Sequence, residues 1–140
     1  LPFTTLKNGD FVVKLGGTFS KEQNIMADAC LFCKIVSGEI KGTIVFNDEQ
    51  ATAFRDINPA GPTHILIVPK RHIDSVNTLE SSDEQLMGHL FSVAGQLAKS
   101  EGIDQSGYRL IVNTGADGGQ TVFHLHVHLI GGQQMKHPMG

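Results

Sequence analysis

Three shortages in this chain each remove a class of function. It has only two cysteines in 140 residues. That is too few for a disulfide framework, so the pair Cys30-x-x-Cys33 reads as a reduced metal or redox pair of an intracellular protein. Positive charge is also scarce. Eleven basic residues against fourteen acidic ones leave a net charge of -3, which argues against capture of nucleic acid by a basic face. No apolar run approaches the roughly 20 residues of a membrane span, so a membrane partner is not expected. Tryptophan is absent, whereas glycine occurs 16 times and gathers toward the carboxyl end. The length suits one domain with a single sizeable core.

Residues 1–24 contain no methionine, no apolar h-region and no arginine. They match neither a secretory signal nor a mitochondrial transit peptide. Met26-Ala27-Asp28-Ala29 reads as a start. Residues 1–25 are therefore expected to be an upstream extension outside the fold, with one domain over 26–140. The expected location is the cytoplasm, and also the nucleus in a eukaryote.

Apolar residues at Leu31, Phe32, Ile35 and Val36 predict a short helix ended by Ser37-Gly38. Strands are predicted at 43–47 and 51–55, joined by Asp48-Glu49-Gln50. His64-Ile65-Leu66-Ile67-Val68 is a continuous apolar run that suits a central strand, stopped by Pro69. Ser82-x-x-Gln85 predicts the cap of a long amphipathic helix to about residue 100, with Leu86, Leu90, Val93 and Leu97 inward. Two more strands follow, at 108–113 and 122–130. This order predicts an α+β fold with a mostly antiparallel sheet.

The last strand holds His124-Leu125-His126-Val127-His128. Alternation would put three imidazoles on one face and Leu125, Val127 and Leu129 in a core. Such a row can attack, donate and receive protons near neutrality. Two other readings remain: a polar strand edge, or a three-histidine metal site. Just upstream runs Asn113-Thr114-Gly115-Ala116-Asp117-Gly118-Gly119-Gln120-Thr121. Amides of such a loop can face an anion, with Gln120 and Thr121 adding donors. Together the loop and the row describe an oxyanion cradle beside a nucleophile.

The stretch 118–132, ending His128-Leu129-Ile130-Gly131-Gly132, resembles the signature of the histidine-triad (HIT) superfamily, and its ending resembles the Hint branch. Phe54-Arg55-Asp56-Ile57, Ala60-Gly61-Pro62-Thr63-His64 and Val68-Pro69-Lys70-Arg71-His72 extend the likeness, as do Gly88-His89-Leu90 and Gly107-Tyr108-Arg109. The resemblance implies a five-stranded antiparallel sheet with one long helix and a short amino-terminal one, paired into a ten-stranded sheet in a homodimer. It also implies hydrolysis of purine nucleoside phosphoramidates through a nucleotidyl-histidine. The alternatives are a dinucleoside polyphosphate hydrolase and a nucleotide-binding interaction module with vestigial catalysis.

By that resemblance His126 is the nucleophile, and His128 serves the phosphate and the leaving group. His64 is the supporting histidine, in a relay with His124. Asn113, Gly119, Gln120, Thr121 and the Val122 amide would hold the α-phosphate. Asp56 would bind the ribose hydroxyls, and Leu31, Phe32, Ile35, Ile40, Phe54 and Ile57 would surround the base. No cofactor is implied for the chemistry. Several HIT branches bind a structural zinc, for which the matching positions are Cys30, Cys33, His72 and His124. Three departures stand out. Thr121 replaces the usual serine, His137 stands where Hint relatives often carry tryptophan, and Lys41 replaces a proline and is expected to alter only a turn.

Overall fold

Alternation along three neighbouring strands decides what each face of the sheet carries. The computed structural model describes residues 29–139; the expected extension over 1–25 lies outside the described residues. The first helix, α1 (Leu31–Ser37), starts where the Cys30 sulfur accepts the Cys33 amide, and it stops at Gly38 with φ 88°. Glycine meets that left-handed geometry without a Cβ penalty. Strands β1 (Ile44–Asn47) and β2 (Ala51–Arg55) form a hairpin. Its turn is closed by Asp48, whose Oδ1 accepts the amides of Gln50 and Ala51 at 2.8 Å each.

The central strand β3 (Thr63–Pro69) is buried along its whole length. A helix, α2 (Glu84–Ser100), follows, then β4 (Tyr108–Ile111) and β5 (Val127–Gly131). The strands run β1-β2-β3-β5-β4, each antiparallel to its neighbours. Ala51, Ala53, Ile65, Ile67, Val127 and Leu129 form a core with Leu90, Val93, Ala94, Leu97 and Ala98 of α2, of which Leu90, Val93 and Leu97 are predicted inward positions. The intervening Phe54, Leu66 and Val68 face the other way and pack with Phe32 of α1. Both faces of β3 are covered, which is why its sequence is a continuous apolar run. The second face is the one that carries His64 and His128, paired in register with Ile130 and Leu66.

Two expectations shift. The fifth strand begins at Val127 and not at residue 122. Pro69 ends β3 and has no amide to continue a ladder, and the Leu125 amide instead bonds the Ile73 carbonyl at 2.7 Å. Residues 122–126 therefore lie outside the ladder, with bends at 122–124. The long helix begins at Glu84, after a 3-10 turn over Ser81–Asp83. Ser82 is exposed and does not cap it; the Asp83 carboxylate accepts the Glu80 amide at 2.9 Å and pairs with Arg71. At the far end of α2, Glu101 grips Arg55 of β2 through two bonds, at 3.0 and 2.9 Å. Among the described residues no helix is long and apolar enough to cross a membrane.

Candidate active site

The histidines on the α1 side of the sheet are ordered by backbone groups, and those groups decide where each ring carries its proton. The Ala60 amide donates to His64 Nδ1 at 2.9 Å. An amide can only donate, so the neutral His64 ring is protonated at Nε2. That Nε2 lies 2.9 Å from His128 Nδ1 and donates to it. The proton of His128 is thereby assigned to Nε2. His126 is oriented in the opposite sense: its Nδ1 donates to the His124 carbonyl at 2.7 Å, leaving Nε2 as a bare lone pair. The His126 and His128 ring centres are 4.9 Å apart, and Phe32 meets the His126 ring edge-on at 5.0 Å.

These rings are held neutral. Burial pushes His128 down to about 4, and the neighbouring His126 and His64 rings add to the effect against the pull of Asp56. Burial also lowers His126, opposed by the His124 carbonyl and Asp56. His64 is lowered by burial, while the Asp56 carboxylate 3.5 Å away works the other way. Neutral imidazole is the nucleophilic form.

His126 and His128 open into a cleft of about 350 Å³. Leu31, Phe32, Ile35 and Ile40 reach it from α1 and the segment after it, Phe54, Asp56 and Ile57 from β2 and its end, Leu66 from β3, and Thr121 and Val122 from the loop before β5. Nine expected nucleotide residues thus share one cleft. Lys41, Gly42, Arg55 and Asn58 line it as well. Lys41 had been expected to alter only a turn. No local motif marks it, because its place in the cleft comes from tertiary packing.

Three expected phosphate residues sit differently. Gln120 is buried, with both ends of its amide in use. Its Oε1 accepts the Gly115 amide at 2.9 Å, and its Nε2 donates to the carbonyls of Asp74 at 2.8 Å and Val122 at 3.2 Å. It braces the loop from within. The Gly119 amide bonds the Ala116 carbonyl at 3.0 Å, and Asn113 lies half-buried beyond the end of β4. Neither is among the cleft-lining residues. Gly118 packs so tightly that a Cβ there would lie 2.5 Å from the Thr114 carbonyl oxygen.

His124 separates from the row. It is fully buried, its Nε2 donates to the Pro69 carbonyl at 2.8 Å, and it makes no bond to His64, whose partner is His128. The bend over 122–124 turns its Nδ1 toward the cysteines, 3.4 Å from Cys30 Sγ and 3.5 Å from Cys33 Sγ. His72 completes the group, with Nδ1 3.3 Å from Cys33 Sγ and Nε2 2.8 Å from Asp74 Oδ1. All four ligand atoms lie within 4.8 Å of one another, a group that could hold a metal ion. Burial pushes His124 down to about 4.

Residues 37–135 match the family model of the HIT domain. The chain belongs to the HIT domain family. Across 110 residues it is 48% identical to the purine nucleoside phosphoramidase of Escherichia coli strain K12, covering 79% of this chain and 92% of the relative. Its fold superposes on a HIT family hydrolase from Legionella pneumophila Philadelphia 1 with a TM-score of 0.77 and 50% identity, over 79% of this chain and 99% of the other. A HIT family hydrolase from Clostridium thermocellum gives 0.78 at 46% identity, over 80% and 97%. The matched HIT domain holds His64 and the histidine row but begins after Cys30 and Cys33. The metal-capable group therefore joins two side chains inside the family segment to two outside it.

Proposed function

We propose that this HIT protein hydrolyses purine nucleoside phosphoramidates in two displacements through a nucleotidyl-His126 intermediate. The observation that carries the reading is the opposed proton placement on adjacent rings, a lone pair on His126 Nε2 beside an N–H on His128 Nε2. In the first displacement Nε2 of His126 bonds to the α-phosphorus as the phosphorus–nitrogen bond breaks. The amine leaves with the bonding pair and takes up one proton from water, assisted by His128. The adduct leaves a positive charge on the ring, which the His124 carbonyl stabilises through Nδ1–H. Water then attacks phosphorus, the bond to His126 breaks, and one proton returns to solvent. The nucleoside monophosphate departs and the ring regains its lone pair.

His128 Nε2–H and the Thr121 and Val122 amides would donate to the phosphate oxygens; neither amide has a backbone acceptor among the described residues. Asp56 would accept the ribose hydroxyls side by side, and the apolar walls would cover the base. The relative's name supports a purine.

The cysteine–histidine group fits zinc. A tetrahedral ion with bonds of about 2.3 Å to sulfur and 2.0–2.1 Å to nitrogen has sulfur–nitrogen edges near ~3.5 Å, and the spacings here are 3.3 to 3.5 Å. Both imidazoles present an unprotonated Nδ1, because Nε2 is committed to Asp74 or to Pro69. Bound there, zinc would be structural, tying α1 to the bend before His126. The half-buried edge strand β4 suits pairing with a second copy into a ten-stranded sheet, and the reduced cysteines suit the cytoplasm.

The test compares leaving groups on one nucleotide. An adenosine phosphoramidate should turn over with kcat/KM at least about tenfold above that of a diadenosine polyphosphate, a gap of about 1.4 kcal/mol. Preferred cleavage of the diadenosine substrate would overturn the assignment.

A further inference from the structure

We infer that Lys41 reads the edge of the base and that this chain favours guanine over adenine nucleotides, an inference that rests on the nucleotide reading above. The cleft runs across the sheet, from His128 on β5 over β3 and β2 to the segment that enters β1. Three strand spacings make about 14 Å, comparable to an extended nucleoside monophosphate. Asp56, following β2, lies 3.5 Å from His64, so the ribose end of the cleft is anchored beside the histidines. Lys41 lies beyond it, where the base must end.

The chain holds Lys41 there by its neighbours. The Ile40 amide donates to the Lys34 carbonyl at 3.1 Å, and the Thr43 carbonyl accepts the Arg55 amide at 3.0 Å. Between them Gly42 passes so close to α1 that a Cβ would lie 3.0 Å from Ile35 Cγ2. Two cations line the cleft, Lys41 and Arg55. Arg55 is committed to Glu101 by two bonds. Lys41 is exposed and has no ion pair among the described residues.

An ammonium offers donors only. A purine laid with one face against the Phe32 and Ile35 side chains of α1 turns its edge toward Lys41. Guanine presents two acceptors there, O6 and N7, whereas adenine pairs N7 with an amino donor that repels an ammonium. A phosphate would belong at the other end, near the imidazoles.

Equilibrium binding of GMP, IMP and AMP to the wild type and to Lys41→Met tests this, together with kcat/KM for guanosine and adenosine phosphoramidates of one amine. GMP and IMP, which share O6 and N7, should bind about fivefold more tightly than AMP, the worth of one solvent-screened hydrogen bond. Lys41→Met should bring that ratio near one by weakening GMP and IMP while leaving AMP within about twofold. Equal affinities in the wild type would overturn the inference. So would an unchanged ratio in Lys41→Met, or equal weakening of all three nucleotides, which would mean simple attraction of phosphate. Binding without discrimination leaves the nucleotide reading standing, whereas no binding of any nucleotide sinks both.

Discussion

A histidine is defined by what its two nitrogens touch, and in this protein those contacts separate residues that look equivalent in sequence. His124, His126 and His128 alternate perfectly, yet one points its lone pair at two sulfurs, one at the cleft, and the third presents a proton. The assignments come from fixed backbone groups: the Ala60 amide and the carbonyls of His124 and Pro69. Neutrality has a consequence for stability. His128 falls from an ordinary 6.5 to about 4 on folding, so below pH 6.5 the unfolded chain binds the proton first. Its contribution is fully present above about pH 6.5 and is lost as pH falls toward 4; buried His64 has the same sign. The urea midpoint should therefore drop between pH 7 and pH 4.5, and His128→Asn should flatten that slope. A midpoint as high at pH 4.5 as at pH 7 would show that the rings are charged in the native state.

At the scale of elements, the loop before the histidines is built from within. Gln120 satisfies the Gly115 amide and the carbonyls of Asp74 and Val122, fixing where Thr121 and Val122 face the cleft. Gln120→Leu keeps much of the volume but leaves those groups unpaired. It should cost about 1–3 kcal/mol of stability, measured by urea denaturation, and reduce kcat/KM as well. A variant of wild-type stability would mean the brace is dispensable. The strands, both helices and the wall of the cleft were legible in the sequence because they follow period and punctuation: Phe32 and Ile35 on one helix face, Pro69 after a continuous apolar strand. What was not legible depends on long-range partners. The break of β5 at Val127 needs Ile73 as the acceptor for Leu125, and Gln120 read as a phosphate donor because Asp74 lies 46 residues away. His64 read as a partner of His124, whereas strand register sets it opposite Ile130, beside His128.

Across the whole molecule, the sheet divides labour between its faces. Helix α2 packs one face and contributes five of the fourteen buried residues of the core, leaving the other to carry the cleft, the histidines and the metal-capable group side by side. The cysteine pair lies before the residues that match the family model, and its closeness to His72 and His124 makes α1, one wall of the cleft, part of the same unit. Protein purified without added metal should carry about one zinc per chain, and a chelator should lower its Tm. Less than about 0.2 equivalents would end the zinc assignment and leave α1 held by the packing of Phe32, Ile35 and Val36.

The central claim is that His126 forms a bond to phosphorus. Its most direct test is rapid quenching during turnover of an adenosine phosphoramidate, followed by mass spectrometry of the peptide containing residues 124–128. The account predicts a nucleotidyl adduct on His126 that forms and decays at rates compatible with turnover, absent in His126→Asn along with activity. Full turnover by His126→Asn, with no adduct on the wild-type peptide, would contradict it.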